Sequence, residues 1–207
     1  MPSAQITLPF ELQRVESGPA VDSVRALFQE YQADLGIDLC FQGFAQELAE
    51  LPGAYAPPAG RLYLALQRHE PAGCAALRPL GEGTCEMKRL YVRSAYRRRG
   101  IGKMLAQRAL GDARAIGYKR IVLDTLPAMR EAQALYAALG FAETQPYTFN
   151  PVDGVRFLAL DLAAGPATSP ASAPGTASGR PGRRSCGKWR GCGSAALRRN
   201  RRAARAG

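Results

Sequence analysis

Residues Arg97 to Lys103 read Arg-Arg-Arg-Gly-Ile-Gly-Lys, with four cations and two glycines in seven positions. Ahead of them lies an apolar, β-favouring run containing Met87, Leu90, Tyr91 and Val92. Behind them, Ile101, Met104, Leu105, Ala109 and Leu110 recur at three- and four-residue spacings, which predicts a helix. A strand, a glycine loop and a helix start in that order aim unbonded backbone N–H groups at one point. The helix dipole adds about half a positive charge there. With Arg97, Arg98, Arg99 and Lys103 around it, the point suits a pyrophosphate.

Two phosphate-binding patterns fail on these residues. A nucleotide-hydrolysing phosphate loop needs a glycine five positions before its Gly-Lys pair and a Ser or Thr after it; Arg97 and Met104 stand there. A dinucleotide fingerprint needs a small residue at position 105 and opens a βαβ unit. Here the residue is Leu105, and three strands in hairpin order precede the loop. His69 is the only histidine, which excludes a zinc site with two of them and leaves a Ser-His-Asp triad only a residue in a polar turn. No metal is expected. The five cysteines, Cys40, Cys74, Cys85, Cys186 and Cys192, are odd in number and lack CxxC spacing, so no disulfide framework is expected. Cys74 and Cys85 fall on strands with no local activating histidine and read as small core residues.

The charge is unevenly spread. The 207 residues carry a formal charge of +11, which suggests a nucleic-acid partner. Ten of the 28 basic residues and none of the 17 acidic ones fall in 163–207, which leaves 18 basic against 17 acidic residues in 1–162. The expected domain over 1–162 is therefore nearly neutral, and the segment 163–207 supplies the basicity. That segment is rich in Gly, Pro, Ala and Arg and is read as a disordered tail, because it cannot offset its own ordering entropy. Nucleic-acid binding is not expected beyond what such a tail does loosely. The first residues lack a basic, apolar leader, and no apolar run approaches a membrane span, so a cytoplasmic protein without membrane contact is expected.

The elements that position the loop follow from periodicity. A first strand is predicted over Phe10–Val15, then helices over Ala20–Leu35 and Phe41–Leu51. Strands follow over Arg61–Gln67, Cys74–Leu80 and Cys85–Val92, with turns at His69–Gly73 and Pro79–Thr84. The helix from Ile101 ends near Gly117. A buried strand, Arg120–Thr125, follows and is expected to run parallel to Cys85–Val92 because a helical crossover joins them. A helix over Met129–Leu139, a strand start at Phe141–Thr144 and a strand over Val155–Leu162 complete the series. The order β-α-α-β-β-β-α-β-α-β-β predicts an α/β chain, α+β in character, whose mixed sheet has helices on both sides.

Placed on these elements, Arg97-x-x-Gly100-x-Gly102 resembles the acetyl-CoA signature of the GNAT acyltransferase superfamily. Tyr136-Ala-Ala-Leu-Gly-Phe141 resembles that family's second signature, at the end of its penultimate helix. The resemblance covers about Phe10 to Leu162. It implies the GNAT fold, a mostly antiparallel sheet of about seven strands with helices on both faces, in a small acetyltransferase of bacterial type. Two positions depart from the family pattern. Arg98 stands where many members have glycine, which implies that residue 98 does not need a glycine conformation. Met129 stands where many have an asparagine that contacts the cofactor's pantetheine arm.

The resemblance implies transfer of an acetyl group from acetyl-CoA to a primary amine of a small molecule or peptide, by direct attack in a ternary complex. The pyrophosphate would lie on the N–H groups of Arg98, Arg99, Gly100, Ile101, Gly102 and Lys103. The pantetheine arm would bond the backbone of Leu90, Tyr91 and Val92 where this strand splays from its neighbour, with the Leu90 N–H on the thioester carbonyl. Glu86 is the first candidate for the base that frees the amine, and Tyr136 the candidate acid for the departing thiolate. Asp124 is a second carboxylate for amine recognition, and Tyr31, Phe41 and Tyr147 are candidate acceptor-lining residues. Because these are neutral and aromatic, polycationic acceptors are not favoured. The partners implied are acetyl-CoA and an amine, in a monomer or homodimer. The alternative is a non-catalytic acyl-CoA-binding regulatory module; the presence of both Glu86 and Tyr136 weighs against it.

Overall fold

Strand Thr84–Val92 (β4) lies at the middle of a seven-stranded sheet in the computed structural model, which describes residues 10–162. The tail expected over 163–207 lies outside the described residues. Around β4, the chain forms β1 (Glu11–Arg14), α1 (Pro19–Leu35), α2 (Phe44–Glu50), β2 (Arg61–Gln67) and β3 (Glu70–Gly81). After it come α3 (Ile101–Ile116), β5 (Arg120–Thr125), α4 (Arg130–Ala138), β6 (Ala142–Glu143) and β7 (Arg156–Asp161). The spatial order is β1-β2-β3-β4-β5-β7-β6. Every neighbouring pair is antiparallel except β4 and β5, which the α3 crossover makes parallel.

Two apolar layers cover the sheet. On one face, Ile101, Leu105, Ala109 and Tyr136 of α3 and α4 pack on Tyr63, Leu77, Met87, Ile121 and Leu123. On the other, Val24, Leu27 and Phe28 of α1 and Phe44 of α2 pack on Leu62, Leu64, Cys74, Ala76 and Tyr91. Cys74 and Cys85 are buried one on each side, and burial pushes the Cys85 thiol up to about 12, so both are core residues. Among the described residues, no helix is long and apolar enough to cross a membrane.

Three local expectations shift. The first hairpin turns at Arg68–His69, with φ 51° and 68°, rather than over His69–Gly73. A two-residue hairpin needs left-handed backbone at both positions. Here two L residues accept it because Gln67↔Glu70 and the buried strands behind them set the register. The second turn likewise tightens to Glu82–Gly83, Gly83 supplying φ 66°. The second helix starts only at Phe44, because Gly43, at φ 69°, separates it from a short 3₁₀ turn over Cys40–Gln42.

β4 itself carries a bulge. Ala76 pairs with Lys88 and Cys74 with Tyr91, so Arg89 and Leu90 together oppose Ala75. Arg89 takes φ 57°. Before the bulge, Cys85 and Met87 face the α3 layer while Glu86 and Lys88 face the other side; after it, Leu90 and Val92 face α3 and Tyr91 faces α1. The extra residue points its guanidinium toward α2. There Arg89 Nε and Nη2 donate to the two carboxylate oxygens of Glu47 at 2.9 and 2.6 Å. Tyr55 donates to Glu47 Oε1 at 2.6 Å, and the guanidinium lies 5.0 Å from the Phe44 ring centroid. The pair is buried, with 3% and 11% of the two side chains exposed, so neither charge can fall back on water.

Glu47→Gln leaves Arg89 as a buried unmatched charge and should cost about 3–5 kcal/mol in chemical denaturation at pH 7. Burial pushes the Glu47 carboxyl up, but Arg89 and Tyr55 outweigh it and hold the group below its ordinary value. A carboxyl depressed in the folded state contributes fully above its unfolded value and loses that contribution as pH falls through its folded value. The gap between wild type and Glu47→Gln should therefore narrow in acid; a gap independent of pH would contradict the pairing.

Candidate active site

The glycine loop presents an unfilled set of donors. Gly100 caps α3 with φ 84°, a backbone that favours glycine, and the first helical bond runs from Met104 N–H to Gly100 O at 3.0 Å. Ahead of it, the backbone N–H groups of residues 98–103 have no acceptor among the described residues. A Cβ at Gly102 would meet only Leu135 Cδ2 at 3.7 Å and Val92 Cγ2 at 3.9 Å, so the fold's own packing does not demand a glycine there.

The four cations of the loop are not equivalent. Arg97 is engaged at the surface by the chain itself: Nε donates to Val92 O at 2.9 Å and Nη2 to Asp34 Oδ2 at 2.7 Å. Arg99 reaches Gln67 at 3.3 Å and lies over the Tyr96 ring. The Arg98 side chain is 88% exposed, with Glu131 3.9 Å away, and Lys103 is exposed without an ion pair among the described residues. The backbone expectation for Arg98 needs correction. Its φ is 60°, the left-handed region that glycine prefers. An L residue accepts it at a cost of about 1 kcal/mol, and with its side chain in solvent nothing else opposes the conformation.

Behind the loop, β4 and β5 part. Their pairing covers Thr84↔Arg120, Cys85↔Ile121 and Glu86↔Val122 and stops there. The edge of β4 from Met87 to Val92 has no strand beside it on that side. A cavity fills the opening. Its walls are Met87, Lys88, Arg89 and Leu90 of β4, Asp124 and Thr125 of β5, then Leu126, Met129 and Tyr136. Tyr31, Leu35, Ile37, Leu39, Phe41 and Gln42 close it from the α1–α2 side, and Asn150 and Val152 from the loop before β7.

Five of the residues singled out from the sequence meet at this cavity: Tyr31, Phe41, Leu90, Asp124 and Tyr136. The Tyr136 ring leans on Phe141 with centroids 5.7 Å apart. Its hydroxyl makes no hydrogen bond within the described residues, and burial pushes the phenol well above its ordinary value. Burial likewise pushes Tyr31 up to about 12. Asp124 accepts from Asn150 Nδ2 at 2.7 Å. Tyr91 turns its side chain the other way, its hydroxyl donating to Asp34 at 3.1 Å. Met129 stands in the cavity wall, and the Thr125 hydroxyl lies 3.9 Å from its sulfur.

Glu86 and Tyr147 lie elsewhere. Glu86 is completely buried outside the cavity wall. Its Oε2 accepts from Arg78 at 2.7 Å, its Oε1 accepts from Tyr147 at 3.0 Å, and Lys88 Nζ is 3.7 Å away. Several residues in the wall escaped the sequence reading, among them the polar Lys88, Gln42 and Asn150. Lys88 had a signal, since Glu86-Met-Lys88 alternates and places a second charge on the face of Glu86. Asn150 sits between the last two predicted strands, in a segment to which the sequence reading assigns no role.

The comparisons with known proteins agree with this architecture. The acetyltransferase (GNAT) family matches residues 24–141. An uncharacterized N-acetyltransferase of Schizosaccharomyces pombe is 39% identical over 145 residues, 69% of this chain and 89% of that protein. Another, from Dictyostelium discoideum, is 32% identical over 72% of this chain and 97% of its own. In fold, an acetyltransferase from Streptococcus agalactiae superposes with a TM-score of 0.63 at 24% identity, over 73% of this chain and 98% of that one. The strand order, the opened β4–β5 edge and these matches lead to one conclusion: the chain belongs to the GNAT family of acetyltransferases and is an acyltransferase enzyme.

Proposed function

We propose that the protein transfers an acetyl group from acetyl-CoA to a primary amine of a small molecule or peptide, by direct attack in a ternary complex. One observation carries this reading. The unengaged N–H groups of residues 98–103 follow in the chain on the open edge of β4, and the cavity beside that edge holds a carboxylate, Asp124, and an unbonded phenol, Tyr136. The N–H groups of residues 98–103 hold the pyrophosphate, with Arg98, Arg99 and Lys103 adding charge. Arg97, tied to Asp34 and Val92, holds the loop in shape. The free edge of Leu90, Tyr91 and Val92 bonds the pantetheine amides as a neighbouring strand would. When bound, acetyl-CoA supplies an acetyl group already activated as a thioester.

The acceptor reaches the cavity as an ammonium. In balance, the ammonium loses two protons, its nitrogen gains the bond to the acetyl carbon, the carbon–sulfur bond breaks, and the thiolate regains one proton. Asp124, on the wall, holds the ammonium and takes the first proton. Tyr136 donates to the leaving thiolate. The Leu90 N–H, next to the bulge, is the donor available to the carbonyl oxygen. Glu86 was the first candidate base from sequence; enclosed by Arg78, Lys88 and Tyr147, it serves better to position Lys88. The reading places the enzyme in the cytoplasm. A binding module without catalysis would have no use for a free phenol and carboxylate in one cavity.

Three variants test these roles. Gly102→Asp should fold, because its Cβ meets only ordinary contacts, and should weaken acetyl-CoA binding at least about 100-fold by calorimetry, since it sets a carboxylate at the anion site. Unchanged affinity would overturn the loop assignment. Tyr136→Phe should lower kcat by about 100-fold with acetyl-CoA affinity retained; an unaltered kcat removes Tyr136 as the acid. Asp124→Asn should lower kcat/KM by about 100-fold at pH 7 and make it climb with pH as the free amine does, while Glu86→Gln keeps the wild-type slope. The reverse outcome would return the base role to Glu86.

A further inference from the structure

Glu86 and Val122 are directly paired across β4 and β5, so their side chains share the face that α1 and α2 cover. Two residues on, Lys88 and Asp124 share that face too, beyond the point where the strands part. Both line the cavity, from opposite walls. They are opposite charges in sight of each other, yet they form no ion pair with each other. Each is steadied from outside the gap: Lys88 Nζ lies 3.7 Å from Glu86 Oε1, a carboxylate it shares with Arg78, and donates to Gln42 Oε1 at 3.0 Å, while Asp124 accepts from Asn150 at 2.7 Å. Only 5% of the Lys88 side chain is exposed.

A cation and an anion held apart across a gap match a zwitterion laid between them. On the acetyl-transfer reading above, on which this rests, we propose that the acceptor is a free α-amino acid with an apolar or aromatic side chain. Its ammonium binds Asp124, its carboxylate binds Lys88, and its side chain lies on the Leu39–Phe41 wall. A plain amine leaves Lys88 buried with no added anion, and an amino-acid amide offers it only a neutral oxygen. Burial pulls Lys88 below the ordinary lysine value, with Glu86 opposing that shift, and an arriving carboxylate favours its charged form. Arg89, in the same wall, is matched in full by Glu47, whereas Glu86 divides one negative charge between Arg78 and Lys88, which leaves Lys88 able to take a further anion. The carboxylate takes no part in bond making: the amino nitrogen is acetylated, CoA leaves as the thiol and one proton is released.

The test is a matched acceptor panel of L-phenylalanine, L-phenylalaninamide and phenethylamine, with CoA release measured at pH 8. The wild type should favour the free acid in kcat/KM by at least about tenfold, as expected when a buried cation that shares its counter-ion gains a carboxylate of its own. Lys88→Met should abolish that preference. Calorimetry in the presence of CoA should show binding of phenylalanine by the wild type and none of phenethylamine, a readout independent of turnover. Acetylation of phenethylamine or the amide as fast as the free acid overturns the amino-acid inference and leaves acetyl transfer standing. Calorimetric binding of acetyl-CoA with no CoA release from any of the three also overturns the amino-acid inference alone, whereas absence of acetyl-CoA binding overturns both.

Discussion

The extra residue in β4 is the constraint on which the rest of the site depends. An unbroken strand alternates its side chains from end to end, and β5 would follow it in register. With Arg89 inserted at φ 57°, the alternation resets, Leu90 and Val92 turn to the α3 layer, and Tyr91 turns to α1. The pairing with β5 has already ended at Glu86↔Val122, which leaves a strand edge free inside the protein rather than at its rim. Buried backbone groups without partners are costly unless something supplies those bonds. The opening is thus a cost to the fold that a ligand with peptide-like groups would offset.

Buried charge holds that opening in shape. Arg89 is clamped by Glu47, which Tyr55 holds in turn, and this fixes α2 against the bulge. Glu86 is clamped by Arg78 and Tyr147, which fixes the loop before β7 against β4. Such pairs add little net stability, because desolvation offsets most of the attraction, but removing one partner is severe. They therefore act as geometric locks. Lys88 shares its counter-ion, Glu86, with Arg78, Asp124 has only the neutral amide of Asn150, and both line the same gap.

Charge at the glycine loop likewise divides between structure and ligand. Arg97 spends its donors on Val92 and Asp34 and joins the loop to α1. The groups left for an anion are mainly backbone N–H groups, which no substitution of side chains removes. This is why two glycines and a helix start carry more information about the site than the run of arginines around them.

Much of this was legible in order along the chain. The element series, the parallel β4–β5 neighbour, the glycine-loop helix and the burial of Cys74 and Cys85 follow from periodicity and turn residues, which are local properties. Tyr136 and the loop were readable because their motifs are contiguous. Tight turns at Arg68–His69 and the left-handed Arg98 were not, since L residues take such backbone only when distant pairing or solvent exposure allows it. The division between Glu86 and Asp124 was decided only in three dimensions. Both are carboxylates on neighbouring strands, and the sequence by itself determined that much. Which one faces the cavity depends on where two strands stop pairing and on partners such as Arg78, Tyr147 and Asn150, 8 to 61 residues away in the chain. Register and long-range pairing are properties of the assembled sheet, and no local pattern encodes them.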